Sequence, residues 1–188
     1  AEIGPEVTLV KVGDKVTVNP SHPCGSCEFC LVGRALLCSD MVFLGSSRRF
    51  PHVQGMFAET YGTDEVQCFV VPDDLSINAA AFAEPLSVAL HATGQAGPLL
   101  GANVLISGSG PIGSLVSLTA KLAGAASVTM TDILDAPLKV AMGIGADRAL
   151  NVCAGDEVLA DPRHPRGSFD VAFDASGHSS ALLSAIKH

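Results

Sequence analysis

Four of the six cysteines lie close together near the start of the chain. Cys24, Cys27, Cys30 and Cys38 have the spacing C-x2-C-x2-C-x7-C within a loop that contains glycine and proline. Thiolates this close in sequence can converge on one tetrahedral ion at sulfur–metal distances of roughly 2.3 Å, and four of them leave no position for substrate or water. The pattern therefore predicts a structural zinc ion that stabilises a lobe spanning residues 20–40.

Other interpretations of the cluster are free reduced thiols and an iron–sulfur cluster, because C-x2-C-x2-C also opens ferredoxin sequences. The fourth cysteine argues against the iron–sulfur cluster, since it follows seven residues later and precedes Ser39, where the ferredoxin pattern has proline. Zinc is the better interpretation. Cys68 and Cys153 lie in apolar, strand-like segments, and we interpret both as ordinary buried thiols.

A second motif, Gly-x-Gly-x-x-Gly, occupies residues 108–113. On its own this motif is a weak signal in a glycine-rich chain. Its context is stronger, because it follows the apolar segment 104–106 and opens a predicted helix with Pro111 near the first helical position. A glycine-rich turn that binds nothing is the other interpretation.

The three glycines have separate roles in a dinucleotide site. Gly108 permits a tight turn, Gly110 lets the backbone approach a pyrophosphate, and Gly113 lets the helix pack closely on the strand. The phosphates would lie at the N-terminus of the helix, where backbone N–H groups are unpaired. The predicted cofactor-binding residues of the motif are Gly108, Gly110, Pro111, Ile112 and Gly113.

Asp132 lies 19 residues after Gly113, at the end of the next predicted strand. A carboxylate at this point accepts hydrogen bonds from both ribose hydroxyls of the adenosine and repels a 2′-phosphate. No arginine follows it closely, so the sequence favours NAD over NADP as the cofactor.

Glu84 is the only acidic residue between Asp74 and Lys121. A charge in so apolar a stretch is costly unless it is paired, protonated or bound to metal. From the residues alone, a functional carboxylate and a simple helix-face carboxylate remain equal alternatives. His91 is interpreted as a hydrogen-bonded histidine at a domain junction. No open zinc site with three ligands can be assembled from these residues.

The secondary structure predicted around these motifs changes along the chain, from short strands and loops to alternating strands and helices. A β-hairpin is predicted from residues 10–12 to 16–18 around Gly13-Asp14. Short strands are predicted near 57–61 and 68–71, and a helix over 77–92 that Pro85 breaks into two pieces. Strands at 104–106, 127–131, 149–152 and 169–173 alternate with helices, of which the second is predicted to be capped by Asp135. This alternation predicts βαβ units and a parallel sheet.

The chain has 188 residues, with 11 basic and 19 acidic side chains and a formal net charge of −8. A negatively charged chain without a cluster of basic residues lacks the positive surface that binds nucleic acids and anionic membranes. Neither is therefore an expected partner. Residues 85–120 contain no charged side chain, but glycines and prolines interrupt them, so they predict a buried strand and helix rather than a membrane span. The chain begins with alanine rather than methionine, and its first residues have neither the basic nor the apolar region of a signal peptide, so we expect a cytoplasmic protein whose chain is cut at the front.

The four-cysteine lobe, the sequence Glu84-Pro85-Leu86 and the GxGPxG turn together resemble the zinc-dependent medium-chain dehydrogenases of the alcohol and polyol type. The resemblance covers essentially the whole chain. Within this family, residues 41–46, 49–55 and 97–101 look most like bacterial L-idonate 5-dehydrogenases, which oxidise L-idonate to 5-keto-D-gluconate.

The resemblance implies an α/β chain in which a partial GroES-like β domain with a structural zinc lobe, residues 1–92, precedes a partial Rossmann doubly wound parallel sheet, residues 93–188. It implies that the four cysteines hold the lobe zinc and that Glu84 lies at a catalytic zinc, as a ligand or as a hydrogen-bond partner of its water. The family's other catalytic ligands, a cysteine and a His-Glu pair, precede the segment that matches Ala1. The chain as given is therefore expected to be inactive.

These implications lead to one expected function and to alternatives. The expected function is the zinc- and NAD-dependent oxidation of a secondary alcohol in a small sugar acid or polyol by a homo-oligomeric enzyme. The alternatives are another polyol or threonine-type dehydrogenase of the same family, and a zinc-lobed protein that binds NAD(H) without turnover. A zinc-ribbon nucleic-acid module fits the cysteines alone, and the net charge opposes it.

The chain departs from the family pattern after Asp132. Where polyol relatives often carry arginine five residues after the ribose-binding aspartate, this chain has Pro137, with Lys139 nearby.

Overall fold

The computed structural model describes residues 1–161 and 167–188. This part of the chain divides into two compact units, Ala1–Ala81 and Phe82–His188. The domain limits predicted from the sequence, 1–92 and 93–188, stay a prediction. Within the described ranges, no helix combines the length and the apolar character that crossing a bilayer requires.

The first unit is built from short strands and helical turns. Its strands pair in two antiparallel ribbons, β1 with β4 and β2 with β3. The elements are β1 (Val16–Val18), β2 (Ser21–His22), α1 (Glu28–Leu31), a 3-10 turn (Ala35–Leu37), β3 (Val42–Phe43), a second 3-10 turn (Glu65–Gln67), β4 (Cys68–Val70) and α2 (Ile77–Ala80).

The predicted hairpin around Gly13-Asp14 is wrong. β1 forms as expected, but its partner is β4, with Val16 opposite Val70. Residues 10–12 form no strand. The backbone N–H groups of Thr8 and Leu9, just before them, donate to the Glu65 carboxylate at 2.8 and 2.7 Å. The strand predicted at 57–61 is also absent.

The second unit is a four-stranded parallel sheet with helices between its strands, which confirms the predicted α/β fold. The strand order is β7-β6-β5-β8. The elements are α3 (Ala83–Gln95), β5 (Asn103–Ser107), α4 (Pro111–Leu122), β6 (Ser127–Asp132), α5 (Asp135–Gly143), β7 (Arg148–Asn151), a 3-10 turn (Glu157–Leu159), β8 (Val171–Asp174) and α6 (Ser179–Lys187).

The core of the second unit explains why residues 85–120 contain no charged side chain. Val104 and Ile106 of β5 are fully buried, as are Val128 and Met130 of β6. Helix α4 covers them with one apolar face, on which Ala120 is fully buried. Each large apolar side chain buried in this way contributes roughly 1.5–3 kcal/mol, which a charged residue at the same position would forfeit.

Two of the predicted helix boundaries are shifted. The break between α2 and α3 falls at residues 81–82, so Pro85 lies in the first turn of α3, where its missing N–H costs nothing. Asp135 was predicted to cap α5, but it is the first residue inside the helix, and Leu134 occupies the cap position without a side-chain hydrogen bond.

Candidate functional site

The four clustered cysteines converge in space. Their sulfur atoms all lie within 4.8 Å of one another. Two of these separations are 3.5 Å, between Cys27 and Cys30, and 3.9 Å, between Cys27 and Cys38. A tetrahedral ion with sulfur ligands at roughly 2.3 Å has its sulfurs about 3.8 Å apart. The donor set therefore fits a single zinc ion.

Local backbone structure brings these sulfurs together. Cys30 lies within α1, and the following turn is closed by a bond from Gly33 N–H to the Cys30 carbonyl, with Gly33 at φ +75°. The 3-10 turn Ala35–Leu37 then returns the chain so that Cys38 is buried. The backbone N–H of Cys24 donates to the sulfur of Cys38 at 3.2 Å.

The alternatives to zinc fit these distances less well. A disulfide needs sulfur atoms about 2.05 Å apart, and all four residues are free cysteines. An iron–sulfur cluster must place several iron and sulfide ions between its thiolates, and sulfur atoms within 4.8 Å of one another leave too little room for them.

Cysteines of the cluster differ in their pKa values. Backbone N–H groups of Cys30 and Ser39 stabilise the Cys27 thiolate and lower its pKa to about 5. Burial and the neighbouring sulfur of Cys27 raise the pKa of Cys30 to about 12. Four close thiolates repel one another, so a divalent cation is what allows all of them to ionise together.

The glycine turn between β5 and α4 is tightly packed on one side. A Cβ atom on Gly108, which has φ +96°, would lie 2.8 Å from backbone atoms of Ala175 and Ser176. A Cβ atom on Gly113 would collide with the carbonyl oxygen of Gly108. By contrast, a Cβ atom on Gly110 would meet nothing within 4 Å. Gly110 therefore presents bare backbone to the open side of the turn.

Asp132 is joined to this turn by hydrogen bonds. Its Oδ2 accepts from the backbone N–H of Ser109 at 2.8 Å, and its Oδ1 accepts from the backbone N–H of Leu134 at 3.0 Å. The backbone N–H of Gly108 donates to the Thr131 carbonyl at 2.8 Å. The structure thus brings together the glycine motif and the carboxylate that the sequence assigned to one dinucleotide site. Pro111 and Ile112 follow as the first residues of α4.

The segment after β8 also borders the glycine turn, and sequence reasoning missed it. β8 lies beside β5, and the backbone N–H of Ala175 donates to the Ser107 carbonyl at 2.8 Å. Ser176 donates from both its N–H and its hydroxyl to Asp174, and these bonds lower the pKa of Asp174. The strand order reverses between β5 and β8, and ligands of such sheets bind at the point of reversal.

Glu84 lies exposed in the first turn of α3, and its backbone carbonyl accepts a hydrogen bond from the Ser87 hydroxyl at 2.6 Å. His91 is exposed on the same helix. Among residues 1–161 and 167–188, the four cysteines are the only group of three or more close metal-ligating side chains, and Glu84 is not part of one. Its role at a catalytic zinc stays a prediction.

The two remaining cysteines differ from their interpretation as buried thiols. Cys153 is exposed in the loop after β7, and Cys68 is half-buried at the start of β4. The Cys68 thiol donates to the Asp64 carbonyl at 3.7 Å. Cys68 begins a strand of three residues and Cys153 lies two residues after a strand of four, and at such positions an apolar sequence does not ensure burial.

Several characterised proteins are similar in sequence to this chain. L-idonate 5-dehydrogenase (NAD(P)(+)) of Escherichia coli is 39% identical over 93% of the chain. Sorbitol dehydrogenase of Bacillus subtilis is 36% identical over 99%, and L-threonine 3-dehydrogenase of Burkholderia multivorans is 38% identical over 100%. The chain spans about half the length of these relatives: 50%, 52% and 54%, respectively.

Solved structures share the fold. The crystal structure of L-idonate 5-dehydrogenase from Escherichia coli superposes with a TM-score of 0.88 at 38% identity, covering 97% of this chain and 52% of that one. A zinc-binding dehydrogenase of Sinorhizobium meliloti, solved bound to NADP, gives a TM-score of 0.86 at 31% identity, with 96% and 52% covered.

Two family models match successive parts of the chain. The model described as alcohol dehydrogenase GroES-like domain matches residues 1–73, and the model described as zinc-binding dehydrogenase matches residues 111–188. Both agree with the observed order of a first unit with antiparallel ribbons and a second unit with a parallel sheet. The chain belongs to the family of zinc-dependent medium-chain dehydrogenases.

Proposed function

We propose that the protein is an NAD-dependent dehydrogenase that oxidises a secondary alcohol of a sugar acid, with L-idonate as substrate and 5-keto-D-gluconate as product. The observation that carries the proposal is the bond between Ser109 and Asp132, which holds the Asp132 carboxylate against the glycine turn. The choice of substrate is supported by the similarity to L-idonate 5-dehydrogenase of Escherichia coli.

The dinucleotide would bind at the carboxyl end of β5. Its pyrophosphate would lie over Gly110, where no side chain blocks the backbone, and the N–H groups of Ile112 and Gly113 at the start of α4 would face it. Asp132 would accept the two ribose hydroxyls of the adenosine. Its negative charge opposes a 2′-phosphate, which favours NAD over NADP.

The two zinc sites have different roles in this proposal. Cys24, Cys27, Cys30 and Cys38 would hold a structural ion that ties the lobe together. Glu84 would contribute to a catalytic zinc, directly or through a water, with the remaining ligands not among the described residues. A catalytic zinc in such a site supplies a Lewis acid that lowers the pKa of the substrate hydroxyl.

The overall reaction balances without further reactants. The carbinol C–H bond breaks and its hydride goes to the nicotinamide of NAD⁺, while the hydroxyl proton leaves to solvent. The products are the ketone, NADH and one proton. We propose this activity, this substrate and a homo-oligomeric state for the protein that the complete reading frame encodes.

The test is an assay of the protein expressed from its complete reading frame. NADH formation would be measured with L-idonate, sorbitol and L-threonine, each with NAD⁺ and with NADP⁺, alongside the zinc content of the same preparation. We expect the highest kcat/KM for L-idonate with NAD⁺. A preference for L-threonine or sorbitol would contradict the substrate. Zinc-loaded protein that binds NADH but oxidises none of the three would instead support a non-catalytic binding protein.

A further inference from the structure

Asn151 lies beside Asp132 and has no role in the sites described above. It is the last residue of β7, as Asp132 is the last residue of β6, and the two residues are opposite one another in the parallel sheet. The backbone N–H of Val152 donates to the Asp132 carbonyl at 3.0 Å, which continues the pairing by one residue. Asn151 therefore lies at the same carboxyl edge of the sheet as Asp132.

The Asn151 side chain connects the loops that follow these two strands. Its Nδ2 donates to the Asp135 Oδ1 at 2.6 Å and to the Ile133 carbonyl at 3.4 Å. Its Oδ1 accepts from the backbone N–H of Cys153 at 2.9 Å. These partners determine the orientation of the amide, because carboxylate and carbonyl oxygens only accept and a backbone N–H only donates. The amide thus joins residues 133–135 to the loop after β7.

Residues 133–135 also supply one of the hydrogen bonds to the Asp132 carboxylate. The backbone N–H of Leu134 donates to its Oδ1, and the backbone N–H of Ser109 donates to its Oδ2. An ionised carboxylate has about four lone-pair sites, two on each oxygen. Within the part of the chain that the structure describes, each oxygen therefore keeps one site for a ligand, which matches the two hydroxyls of a ribose.

The position of the Leu134 N–H depends on how its loop is held. Ile133 is 62% exposed and Leu134 is 60% exposed, so apolar packing contributes little to the position of the loop. The Asn151 amide bonds to the residues on either side of Leu134. A hydrogen bond to a charged group is stronger than one between neutral groups, so the bond to Asp135 is the stronger of these two restraints.

We propose that Asn151 is a positioning residue for the adenosine ribose. Its amide fixes residues 133–135, and the Leu134 N–H then aligns the Asp132 carboxylate with the 2′- and 3′-hydroxyls. This inference rests on the proposed function, because it deepens the role given there to Asp132. The ligand concerned is an adenine nucleotide whose ribose carries both hydroxyls.

The test compares ADP with 2′-deoxy-ADP as competitors of NADH, measured by fluorescence in the protein from the complete reading frame. 2′-Deoxy-ADP lacks one hydroxyl that Asp132 would accept, so the parent should bind ADP about tenfold more tightly. In Asn151→Asp, the new carboxylate can still accept from the Cys153 N–H but faces Asp135 with a like charge. The preference for ADP should therefore fall to about twofold or less.

Exchanging the two side chains provides a rescue. With Asn151→Asp and Asp135→Asn combined, the amide at position 135 can donate to the carboxylate at position 151, and the preference should rise again to about fivefold or more. Asp135→Asn alone keeps an oxygen that accepts from Asn151 and should resemble the parent. Asn103→Asp is the matched control, because the Asn103 amide also donates to an aspartate, Asp170, at 3.3 Å, but at the amino end of β5.

The outcomes separate this inference from the proposed function. A preference for ADP that Asn151→Asp lowers and the exchange restores supports the inference, whether or not the protein oxidises L-idonate. An unchanged preference in Asn151→Asp overturns it, as does an equal loss of affinity for both nucleotides that the exchange does not restore. A parent that binds NADH but does not distinguish the two nucleotides overturns the inference alone. A parent that does not bind NADH rejects the proposed function as well.

Discussion

The backbone N–H of Ser109 donates a 2.8 Å hydrogen bond to the carboxylate of Asp132, which lies 23 residues further along the chain. Ser109 is part of the glycine turn, and Asp132 ends β6. The bond therefore fixes the carboxylate relative to the turn through groups of the chain itself. A site that is ordered in advance avoids part of the entropy cost of binding.

Asp132→Asn is expected to alter the choice of cofactor. The amide retains an oxygen that can accept from Ser109, but it loses the charge that repels a 2′-phosphate. We expect weaker NADH binding, stronger NADPH binding and a change of about tenfold in the ratio of the two dissociation constants. Fluorescence titration would measure both. Asp135→Asn is the control, because Asp135 bonds to Asn151 and not to the turn. An unchanged ratio would contradict the assigned role of Asp132.

Gly113→Ala is expected to lower mainly the stability of the fold, and Gly110→Ala is expected to weaken mainly the binding of NADH. The new methyl group at residue 113 would meet the Gly108 carbonyl, so the free energy of unfolding should fall by about 1–3 kcal/mol or more. At residue 110 the space is open and φ is −69°, so stability should change by less than about 0.5 kcal/mol, while NADH binding weakens. Urea denaturation and NADH titration of both variants provide the measurements. Equal stability losses would show that the open side of the turn is misassigned.

Cys38→Ser is expected to remove one zinc ion per chain. The serine hydroxyl is a poor zinc ligand, and the remaining three thiolates would leave the ion open to solvent and to chelators. Metal analysis should show the loss, and limited proteolysis should show faster cleavage within residues 20–40. Cys153→Ser is the matched control, because Cys153 lies outside the cluster. Full zinc content in Cys38→Ser would reject the four-sulfur site.

Asp147→Asn is expected to change stability in a pH-dependent way. Lys121 donates to the Asp147 carboxylate at 2.6 Å, and this bond, aided by the backbone N–H of Val128, holds the pKa of Asp147 below its usual value. The carboxylate thus stabilises the fold above about pH 4, and its contribution is lost as the pH falls through the lowered pKa. Because the pair is partly exposed, the loss at neutral pH should be about 1 kcal/mol.

Urea unfolding of Asp147→Asn and the parent at neutral pH and at pH 3 would measure this effect. The difference between them should shrink at the lower pH. Asp74→Asn, at an exposed residue in the turn after β4, controls for the general effect of removing a negative charge. A difference that stays constant with pH would show that the Lys121 bond is not its source.

The order of elements in the second unit was predictable because its signals are local. Apolar strands, helical periodicity and glycines at the helix ends each occupy a few consecutive residues. Pro111 was placed correctly at the start of α4 for this reason. The cysteine cluster was likewise predictable, since its four ligands lie within fifteen residues, 24–38.

The parts that were not predictable depend on distant residues. A hairpin between neighbouring segments and a ribbon between β1 and β4 fit the alternation of residues 16–18 equally well. The observed partner of Val16 is Val70, which lies far along the chain, where no local pattern identifies it. The contact of Ala175 with the glycine turn follows from the position of β8 beside β5, which no local pattern specifies. A small pocket within residues 41–53 likewise depends on how that segment folds, and the segment has no periodicity from which the fold could be predicted.

A Cβ atom on Gly55 would lie 3.1 Å from the Gly45 Cα, and this close approach has a consequence for how the segment between them can vary. The nine residues between them leave and return at nearly the same point, and the junction contains no side chain that must match them. Such a segment can be exchanged as one block while the surrounding strands keep their partners. Related chains could therefore differ in this block in both length and composition while the rest of the unit keeps its fold.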